Sequence, residues 1–359
     1  MISAKLNVYV ALLSLALLSG CGSPGVPLPP SLELTRPVSD LRATRKGNTV
    51  TLSWRVPTKT TEGRNTRHLR TTEICRATEN LKECGTPIAR LLPPKVPENA
   101  KPGENALTYT DNISSLTTGG ADSKIVYAVS ILNSYGRTAG LSNEAAIPAV
   151  PTLAPPHGVQ AQVAADGVRL KWIPSSEAPT AGGLCFVYRI YRREGNAKVV
   201  AGEVPANAGT LPTFLDGSIE WEKTYAYHVT VATLISPSNG SEQQVEGDDT
   251  AEVTVIPHDV FPPAVPSGLE AVFSGPGQRP FIDLVWDPDS DADLAGYVIY
   301  RWESGAVSVK LNTDLVKSPA FRDSAVTPGH EYTYSVSAVD VRGNESSHSQ
   351  PATEKVPEP

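Results

Sequence analysis

The sequence contains very little methionine, cysteine or histidine. Of its 359 residues only one is Met, four are Cys and six are His, and no Cys-x-x-Cys pair or zinc-like Cys/His spacing occurs. A single Met and the lack of long helical periodicity argue against an all-α fold. Because metal-binding side chains are scarce and scattered, we expect no metal site and no cofactor.

The sequence patterns of common catalytic sites are also missing. There is no His-Glu-x-x-His, no Gly-x-Ser-x-Gly and no glycine-rich phosphate-binding loop. The formal net charge is −7 at pH 7, and an acidic balance does not fit a nucleic-acid-binding protein. We therefore expect that the protein is not an enzyme and does not bind nucleic acid.

The charge is distributed unevenly along the chain. Basic residues outnumber acidic ones in residues 31–150, and acidic residues outnumber basic ones in 151–257 and, more strongly, in 258–359. The basic part can rest on anionic lipid head groups, although an unselected surface composition is the alternative. A loop at 58–70 concentrates this charge and is a candidate anion-binding site, with a solvated loop as the alternative; its basic side chains are Arg64, Arg67, His68 and Arg70.

The amino terminus has the features of a targeting segment. Residues 6–18 form an apolar run of about 13 residues, whereas a bilayer core requires about 20. Lys5 precedes the run, as in a secretory signal peptide. The segment Leu18-Ser19-Gly20-Cys21 resembles the lipobox of bacterial lipoproteins. An ordinary signal peptide with an incidental cysteine is the alternative.

The lipobox resemblance implies a location. It implies a signal peptide at 1–20, acylation of Cys21 with palmitate-type chains, and a lipidated tether at 21–36. Gly22 stands where an inner-membrane retention signal would place Asp. We therefore expect a membrane-anchored lipoprotein of the cell envelope, at the outer membrane, and its periplasmic or surface face stays open.

Three segments of the chain repeat one pattern. A stretch of alternating apolar residues ends at Trp54, Trp172 and Trp286 in turn, and this alternation predicts half-buried strands. Further matching segments align without gaps at 73–77, 189–193 and 298–302, and again at 125–132, 225–232 and 332–339. An aromatic-x-Asp motif also recurs, at Tyr109/Asp111, Phe214/Asp216 and Phe321/Asp323.

These segments resemble fibronectin type III domains. The marks are the Pro-rich entries, the strand tryptophan, the Tyr-Arg pair and the Tyr-x-Tyr-x-Val-x-Ala strand. The resemblance implies an all-β fold of three tandem fibronectin type III (immunoglobulin-like) β-sandwiches after the signal peptide, at 37–148, 155–256 and 263–356. It also implies tyrosine corners at Tyr225 and Tyr332, whereas Ile125 takes that position in the first repeat.

The sequence also predicts the environment of the remaining cysteines and of one histidine. Cys75 and Cys84 are nine residues apart in an oxidising compartment and are candidates for a local disulfide. Cys185 is then left over, and we expect it to be a small apolar residue of a strand. His228 alternates out of phase with the core positions of its strand, which predicts exposure to solvent.

One acidic loop invites comparison with calcium sites. Four carboxylates alternate there, at Asp287, Asp289, Asp291 and Asp293. An EF-hand would require Gly at Ala292 and Glu at Val298, so we expect a solvated loop without metal.

The overall prediction is a binding protein. Trp221 and Trp302 are candidates for a binding surface, with the cover of a sheet edge as the alternative. We expect a lipid-anchored scaffold or protein-binding module whose partners are the membrane, through Cys21, and an unidentified envelope protein or glycan. The alternative is a carbohydrate-binding lipoprotein directed at peptidoglycan or polysaccharide.

Overall fold

The regular structure of the chain is almost all β. A computed structural model describes residues 32–66, 69–93, 105–175, 182–206 and 211–358. In these ranges the strands are accompanied by a short 3-10 turn at Ser114–Leu116. No helix in the described ranges is both long and apolar enough to cross a bilayer.

The chain divides into two compact units. The first contains the chain up to Arg45 together with 49–114 and 123–149, and the second contains 46–48, 115–122 and 150–359. The predicted boundaries at 37–148, 155–256 and 263–356 stay predictions.

The first unit is a sandwich of two antiparallel sheets. Within this unit, one sheet contains the strands in the order β1-β2-β5, and the other is four-stranded with the order β4-β3-β6-β7. The strands are β1 (Arg42–Lys46), β2 (Thr49–Arg55), β3 (Leu69–Ala77), β4 (Ala89–Leu91), β5 (Ala106–Asn112), β6 (Lys124–Asn133) and β7 (Ala145–Pro148).

The second unit begins with a sandwich of the same design. Its sheets have the orders β12-β9-β8 and β11-β10-β13-β14, and β15 also pairs with β13. The strands are β8 (His157–Ala164), β9 (Gly167–Ile173), β10 (Leu184–Glu194), β11 (Ala197–Pro205), β12 (Thr213–Asp216), β13 (Tyr225–Ile235), β14 (Gln243–Asp249) and β15 (Val253–Val255).

A further sandwich completes the second unit. Its sheets have the orders β16-β17-β20 and β19-β18-β21-β22. The strands are β16 (Glu270–Phe273), β17 (Ile282–Val285), β18 (Leu294–Trp302), β19 (Val309–Lys310), β20 (Ala320–Asp323), β21 (Glu331–Asp340) and β22 (Ala352–Lys355). Pairs of antiparallel sheets thus recur through the chain, which confirms the predicted all-β fold of β-sandwiches.

The alternating apolar residues form the cores. In β9, Val168, Leu170 and Trp172 are all buried, because every second residue of a strand faces the opposing sheet. The Trp172 ring meets Tyr188 edge to face, with ring centroids 5.3 Å apart. Trp286 repeats this contact with Tyr297 at 5.1 Å.

Two predicted tyrosine corners are formed in the second unit. The Tyr225 hydroxyl accepts a hydrogen bond from the Glu220 N–H at 2.9 Å, and the Tyr332 hydroxyl accepts one from the Thr327 N–H at 3.1 Å. Each bond spans five residues and fixes the turn before a central strand. Ile125, at the matching position of the first unit, is fully buried.

A buried carboxylate clamp recurs in every sandwich. The aspartate of each aromatic-x-Asp motif accepts hydrogen bonds from an arginine and a tyrosine of the four-stranded sheet. These clamps are Arg76–Asp111–Tyr127, Arg192–Asp216–Tyr227 and Arg301–Asp323–Tyr334. Because each clamp joins the two sheets, it fixes their relative position at one end of the sandwich.

One glycine is required beside a clamp. Gly167 has a φ of +135°, and a Cβ there would lie 2.2 Å from the Asp216 carbonyl oxygen. Both the backbone conformation and the close approach of the neighbouring strand therefore favour glycine.

Candidate functional site

The outward face of the sheet β11-β10-β13-β14 carries a network of charged side chains. Arg189 of β10 is only 8% exposed. Its guanidinium donates to Glu203 and Glu246 at 2.7 Å each and to the Gln244 side chain at 2.8 Å. Burial alone would lower the pKa of Arg189, but the hydrogen bonds to Glu246 and Glu203 outweigh it and raise the pKa. The arginine therefore stays charged and holds three strands together.

Tyr191 extends this network along β10. Its hydroxyl donates to Glu246, and its ring stacks on His228, with ring centroids 5.0 Å apart and planes inclined by 16°. The Lys198 ammonium lies 4.0 Å from the centre of the Tyr191 ring, a cation–π contact. The aromatic surface of Tyr191 is thus already in contact with side chains of its own sheet.

His228 is buried, and the predicted exposure is wrong. It is on the outward face of β13, as the alternation indicates, but it is only 5% exposed. The reason is that β13 is a central strand, so the side chains of β10 and β14 on either side close over the imidazole. Neither ring nitrogen has a hydrogen-bond partner among the described residues. Burial, followed by the charge of Lys198, lowers the pKa of His228.

The sheet β19-β18-β21-β22 repeats the arrangement. Tyr300, which aligns with Tyr191, stacks on His348 with ring centroids 4.3 Å apart. Its hydroxyl donates to Glu345 at 2.7 Å. Burial, followed by the hydrogen bond to Glu345, raises the pKa of Tyr300 to about 12.

The first unit has a disulfide at the matching position. Cys75 aligns with Tyr191 and is joined to Cys84, with their Cα atoms 5.4 Å apart. It packs against Leu81 and Val126. Cys185 lies on strand β10 but is exposed and unpaired, so its expected place as an apolar strand residue is only half right.

The aspartates of the acidic loop contact different parts of the chain. Asp287 accepts a hydrogen bond from Ser267, and Asp291 accepts one from the Ala264 N–H at 2.8 Å. One oxygen of Asp293 lies within 4.8 Å of oxygens of Asp259 and Asp340, a spacing that a divalent cation can bridge.

The predicted site residues are dispersed. Trp221 is half-buried, with its ring centroid 6.3 Å from that of Phe261. Trp302 is half-buried at the end of β18, opposite Thr333 of β21. Among the described residues, no ring contact joins the two tryptophans.

The basic loop is only partly described. Arg64 and Arg70 are exposed, and the Arg64 guanidinium lies 3.9 Å from the Glu62 carboxylate. The sites predicted at Cys21, Arg67 and His68 lie outside the described residues.

Sequence reasoning missed the Tyr–His stacks. The two partners are 37 and 48 residues apart in sequence. Strand pairing brings Tyr191 and His228 together, whereas His348 reaches Tyr300 from the segment between β21 and β22. The recurring Tyr-Arg pair of β10 and β18 was the available sequence signal for the stacked tyrosine, but it does not indicate which histidine stacks on it.

Comparison with curated proteins finds partial relatives. The chain is 29% identical over 207 residues to Exoglucanase B of Cellulomonas fimi, covering 56% of this chain and 16% of that protein. It is 33% identical over 129 residues to an amylopullulanase of Thermoanaerobacterium saccharolyticum, covering 36% and 9%. Endoglucanase B of Cellulomonas fimi is 28% identical over 202 residues, covering 54% and 17%. The chain thus spans less than a fifth of these relatives, and no family model matches it.

Solved structures of fibronectin domains are also similar. The FN1–FN3 domains of chicken CNTN1 align with 90% of this chain and 99% of their own, at 16% identity and a TM-score of 0.26. An Fn3-like protein from Clostridium thermocellum aligns with 28% of this chain and 98% of its own, at 30% identity and a TM-score of 0.23.

Proposed function

We propose that the protein is a lipid-anchored scaffold of the cell envelope, at the outer membrane. Its sandwiches hold binding surfaces away from the membrane and engage an envelope partner without catalysing a reaction. The observation that carries the proposal is the segment at 257–264, which is bonded to the sandwiches on both of its sides in the second unit. We call this segment the joint.

The joint begins with contacts to the turn before β13. The Glu222 N–H donates to the Pro257 carbonyl at 2.8 Å, and His258 and Glu222 approach to 2.7 Å through Nδ1 and a carboxylate oxygen. Phe261 packs against Trp221. These contacts place Trp221 against the joint. Its role in binding stays a prediction.

The joint ends with contacts to the sandwich that follows. The Asn344 side-chain amide donates to the Asp259 carbonyl at 3.3 Å, and the Ala264 N–H donates to Asp291 at 2.8 Å. A linker bonded at both ends restricts bending between its neighbours, and a stiff spacer suits a protein that presents surfaces at a distance.

The partial similarity to long enzymes supports a non-catalytic module. The matched portion is at most 17% of each of these proteins, which agrees with a module that accompanies catalytic domains. Function in such a module comes from its surfaces rather than from the sandwich itself.

The stiffness of the joint can be measured by spin labelling. Labels at Lys171→Cys and Lys355→Cys, in a chain carrying Cys185→Ser, should give one narrow distance distribution. Glu222→Ala combined with Asn344→Ala should broaden it, whereas Glu220→Ala with Arg342→Ala, outside the joint, should not. A broad distribution in the unaltered joint would contradict the spacer.

The anchor requires a separate experiment. The chain with Cys21→Ser should move from the membrane fraction to the soluble fraction, and a carboxy-terminally tagged wild type should cross-link to a reproducible envelope protein. Membrane association that is equal in both chains would contradict anchoring through Cys21.

A second candidate is binding to a glycan. It is favoured by the similarity to proteins named as exoglucanase, endoglucanase and amylopullulanase. The chain should then co-sediment with insoluble glucan or peptidoglycan, and Trp221→Ala or Trp302→Ala should reduce the bound fraction. Co-sedimentation no greater than that of an unrelated control protein would remove this candidate.

A further inference from the structure

The edge strand β11 carries the longest free edge among the described four-stranded sheets. It has nine residues and pairs only with β10, so its other side has no strand partner in the part of the chain that the structure describes. The edge strands β4 and β19 at the matching positions have only three and two residues. A long open edge presents backbone N–H and C=O groups that can pair with another strand.

The exposed side chains of β11 are apolar at its centre. Val199 and Val200 are 46% and 50% exposed, and a tight turn, Gly195-Asn196, leads into them. Exposed aliphatic side chains on an open strand edge favour pairing, because a second strand laid beside them removes their apolar surface from water. Charged residues flank this centre, with Lys198 before it and Glu203 after it.

These flanking charges make the strand complementary to itself. The register with β10 shifts by one residue between Val200 and Gly202, which makes Ala201 a β-bulge. If two copies of β11 pair antiparallel about a two-fold axis at this bulge, Lys198 of each copy lies opposite Glu203 of the other, and Val199 lies opposite Gly202. The register with β10 puts Lys198 opposite Arg193 and Glu203 opposite Arg189. Since Arg193 and Arg189 are four residues apart on one strand, both flanking side chains lie on the same face of the sheet.

Both flanking side chains are exposed, although each already has a contact within its own sheet. Lys198 is exposed, and its contact among the described residues is the Tyr191 ring. The Glu203 side chain is 40% exposed, and only its Oε1 is bonded to Arg189. A lysine on an edge strand ordinarily discourages pairing. Here a second copy would supply the carboxylate that offsets it.

We propose that two copies of this chain associate through their β11 strands, in an antiparallel, two-fold symmetric pair. The inference goes beyond the scaffold function and does not depend on the lipid anchor. An interface of the same strand from both copies satisfies the rule that a two-fold contact is self-complementary. The contact buries a single strand edge, so a weak and concentration-dependent dimer is expected.

The first test is a charge reversal with a matched control. The processed chain with Cys21→Ser, examined by sedimentation velocity over a range of concentrations, should show a monomer–dimer equilibrium. Lys198→Glu should raise the dissociation constant by about tenfold or more, because two like-charged pairs replace two opposite ones. Lys171→Glu, on the inner strand β9, makes the same charge change and should have no effect.

Mixing two variants gives the sharpest test. Lys198→Glu and Glu203→Lys chains should each dimerise poorly, whereas an equimolar mixture should form a heterodimer in which both charge pairs are restored. A mixture as monomeric as its components, or equal effects of Lys198→Glu and Lys171→Glu, would overturn the proposal.

A disulfide cross-link tests the dimer independently if Glu203→Lys does not fold. Ala201 lies beside the two-fold axis, so Ala201→Cys in a Cys185→Ser chain should oxidise to a disulfide-linked dimer. Thr213→Cys, on β12, should stay monomeric under the same oxidant. A monomeric Ala201→Cys chain, or a wild type that is monomeric at every concentration, would also overturn the proposal.

Discussion

Arg192 donates two hydrogen bonds from one nitrogen to the two carboxylate oxygens of Asp216, at 3.0 and 2.8 Å. The Tyr227 hydroxyl donates to the same carboxylate at 2.8 Å. Asp216 lies on the three-stranded sheet, whereas Arg192 and Tyr227 lie on the four-stranded sheet. One buried carboxylate therefore satisfies a guanidinium and a phenol while it joins the two layers.

Removal of this carboxylate should destabilise the second unit strongly. Asp216→Ala leaves the Arg192 charge and the Tyr227 hydroxyl without their acceptor, a loss of about 3–5 kcal/mol. Thermal melting followed by circular dichroism measures it. Asp166→Ala, which removes an exposed aspartate 3.4 Å from Arg169, should leave the melting temperature nearly unchanged. Equal effects of the two substitutions would contradict the structural role of the clamp.

The clamps also predict loss of stability in alkali. Burial, followed by the hydrogen bond to the aspartate, raises the pKa of Tyr127 and Tyr227 above the ordinary value of 10, and burial with the charge of Asp323 does the same for Tyr334. Their stabilising contribution is complete below pH 10. It is lost as the pH rises above 10, because only the unfolded chain then releases these protons.

Phenolate absorbance measures this effect directly. The clamp tyrosines should ionise only in the transition that unfolds the protein. Ionisation of the clamp tyrosines before this transition, without loss of circular dichroism, would argue against the buried clamps.

Local patterns predicted the sandwich layers but not the contacts across them. Val168, Leu170 and Trp172 could be assigned to the core because alternation alone decides which face of a strand they occupy. The motif ending at Asp216 was visible in the sequence. Its partners were not, because Arg192 and Tyr227 reach it only through the packing of one sheet on the other.

Burial on an outward face was the feature that alternation could not predict. His228 occupies the face that the pattern assigns to solvent, yet longer neighbours on adjacent strands cover it. Which neighbours lie beside it depends on strand register, here Tyr191 opposite His228. The position of a strand in its sheet therefore decides whether a side chain on the outward face is exposed to solvent.

His228 should make the second unit acid-sensitive. Burial and the charges of Lys198 and Lys46 lower the pKa of His228, while Asp249 at 3.8 Å and Glu252 at 3.9 Å oppose this shift. Because the folded-state pKa lies below the unfolded value of about 6.5, stability falls as the pH drops below 6.5 towards the lowered pKa.

The histidine can be replaced without losing the stack. In His228→Phe, a ring still faces Tyr191, and the Arg193–Glu252 pair beside it is kept. The melting temperature of this variant should depend less on pH below 6.5 than that of the wild type. An unchanged slope in His228→Phe would show that the histidine does not cause the acid sensitivity.

The Cys75–Cys84 disulfide should stabilise the first unit. It closes a loop of nine residues, and the loss of chain entropy in the unfolded state contributes about 2–3 kcal/mol. Cys75→Ala with Cys84→Ala should therefore lower the melting temperature of that unit, and a reductant should do so only in the wild type. Cys185→Ser removes an exposed free thiol and should have no effect. Indifference of the wild type to reductant would contradict the assignment.

The basic loop should govern contact with anionic membranes. Arg64 and Arg70 are exposed, and each well-placed arginine contributes about 1 kcal/mol near an anionic surface. Reversal of Arg64, Arg67 and Arg70 to Glu should therefore weaken liposome binding of the Cys21→Ser chain by more than about tenfold. Co-sedimentation with phosphatidylglycerol vesicles measures this, and added salt should reduce the wild-type binding.

A charge-matched variant separates the loop from net charge. Reversal of Lys310, Lys317 and Lys355 changes the net charge by the same amount at the opposite end of the sequence. If the loop contacts the membrane, this variant should bind almost as the wild type does. Equal loss in both variants would mean that total charge decides the binding, and unchanged binding of the loop variant would remove the loop as a membrane contact.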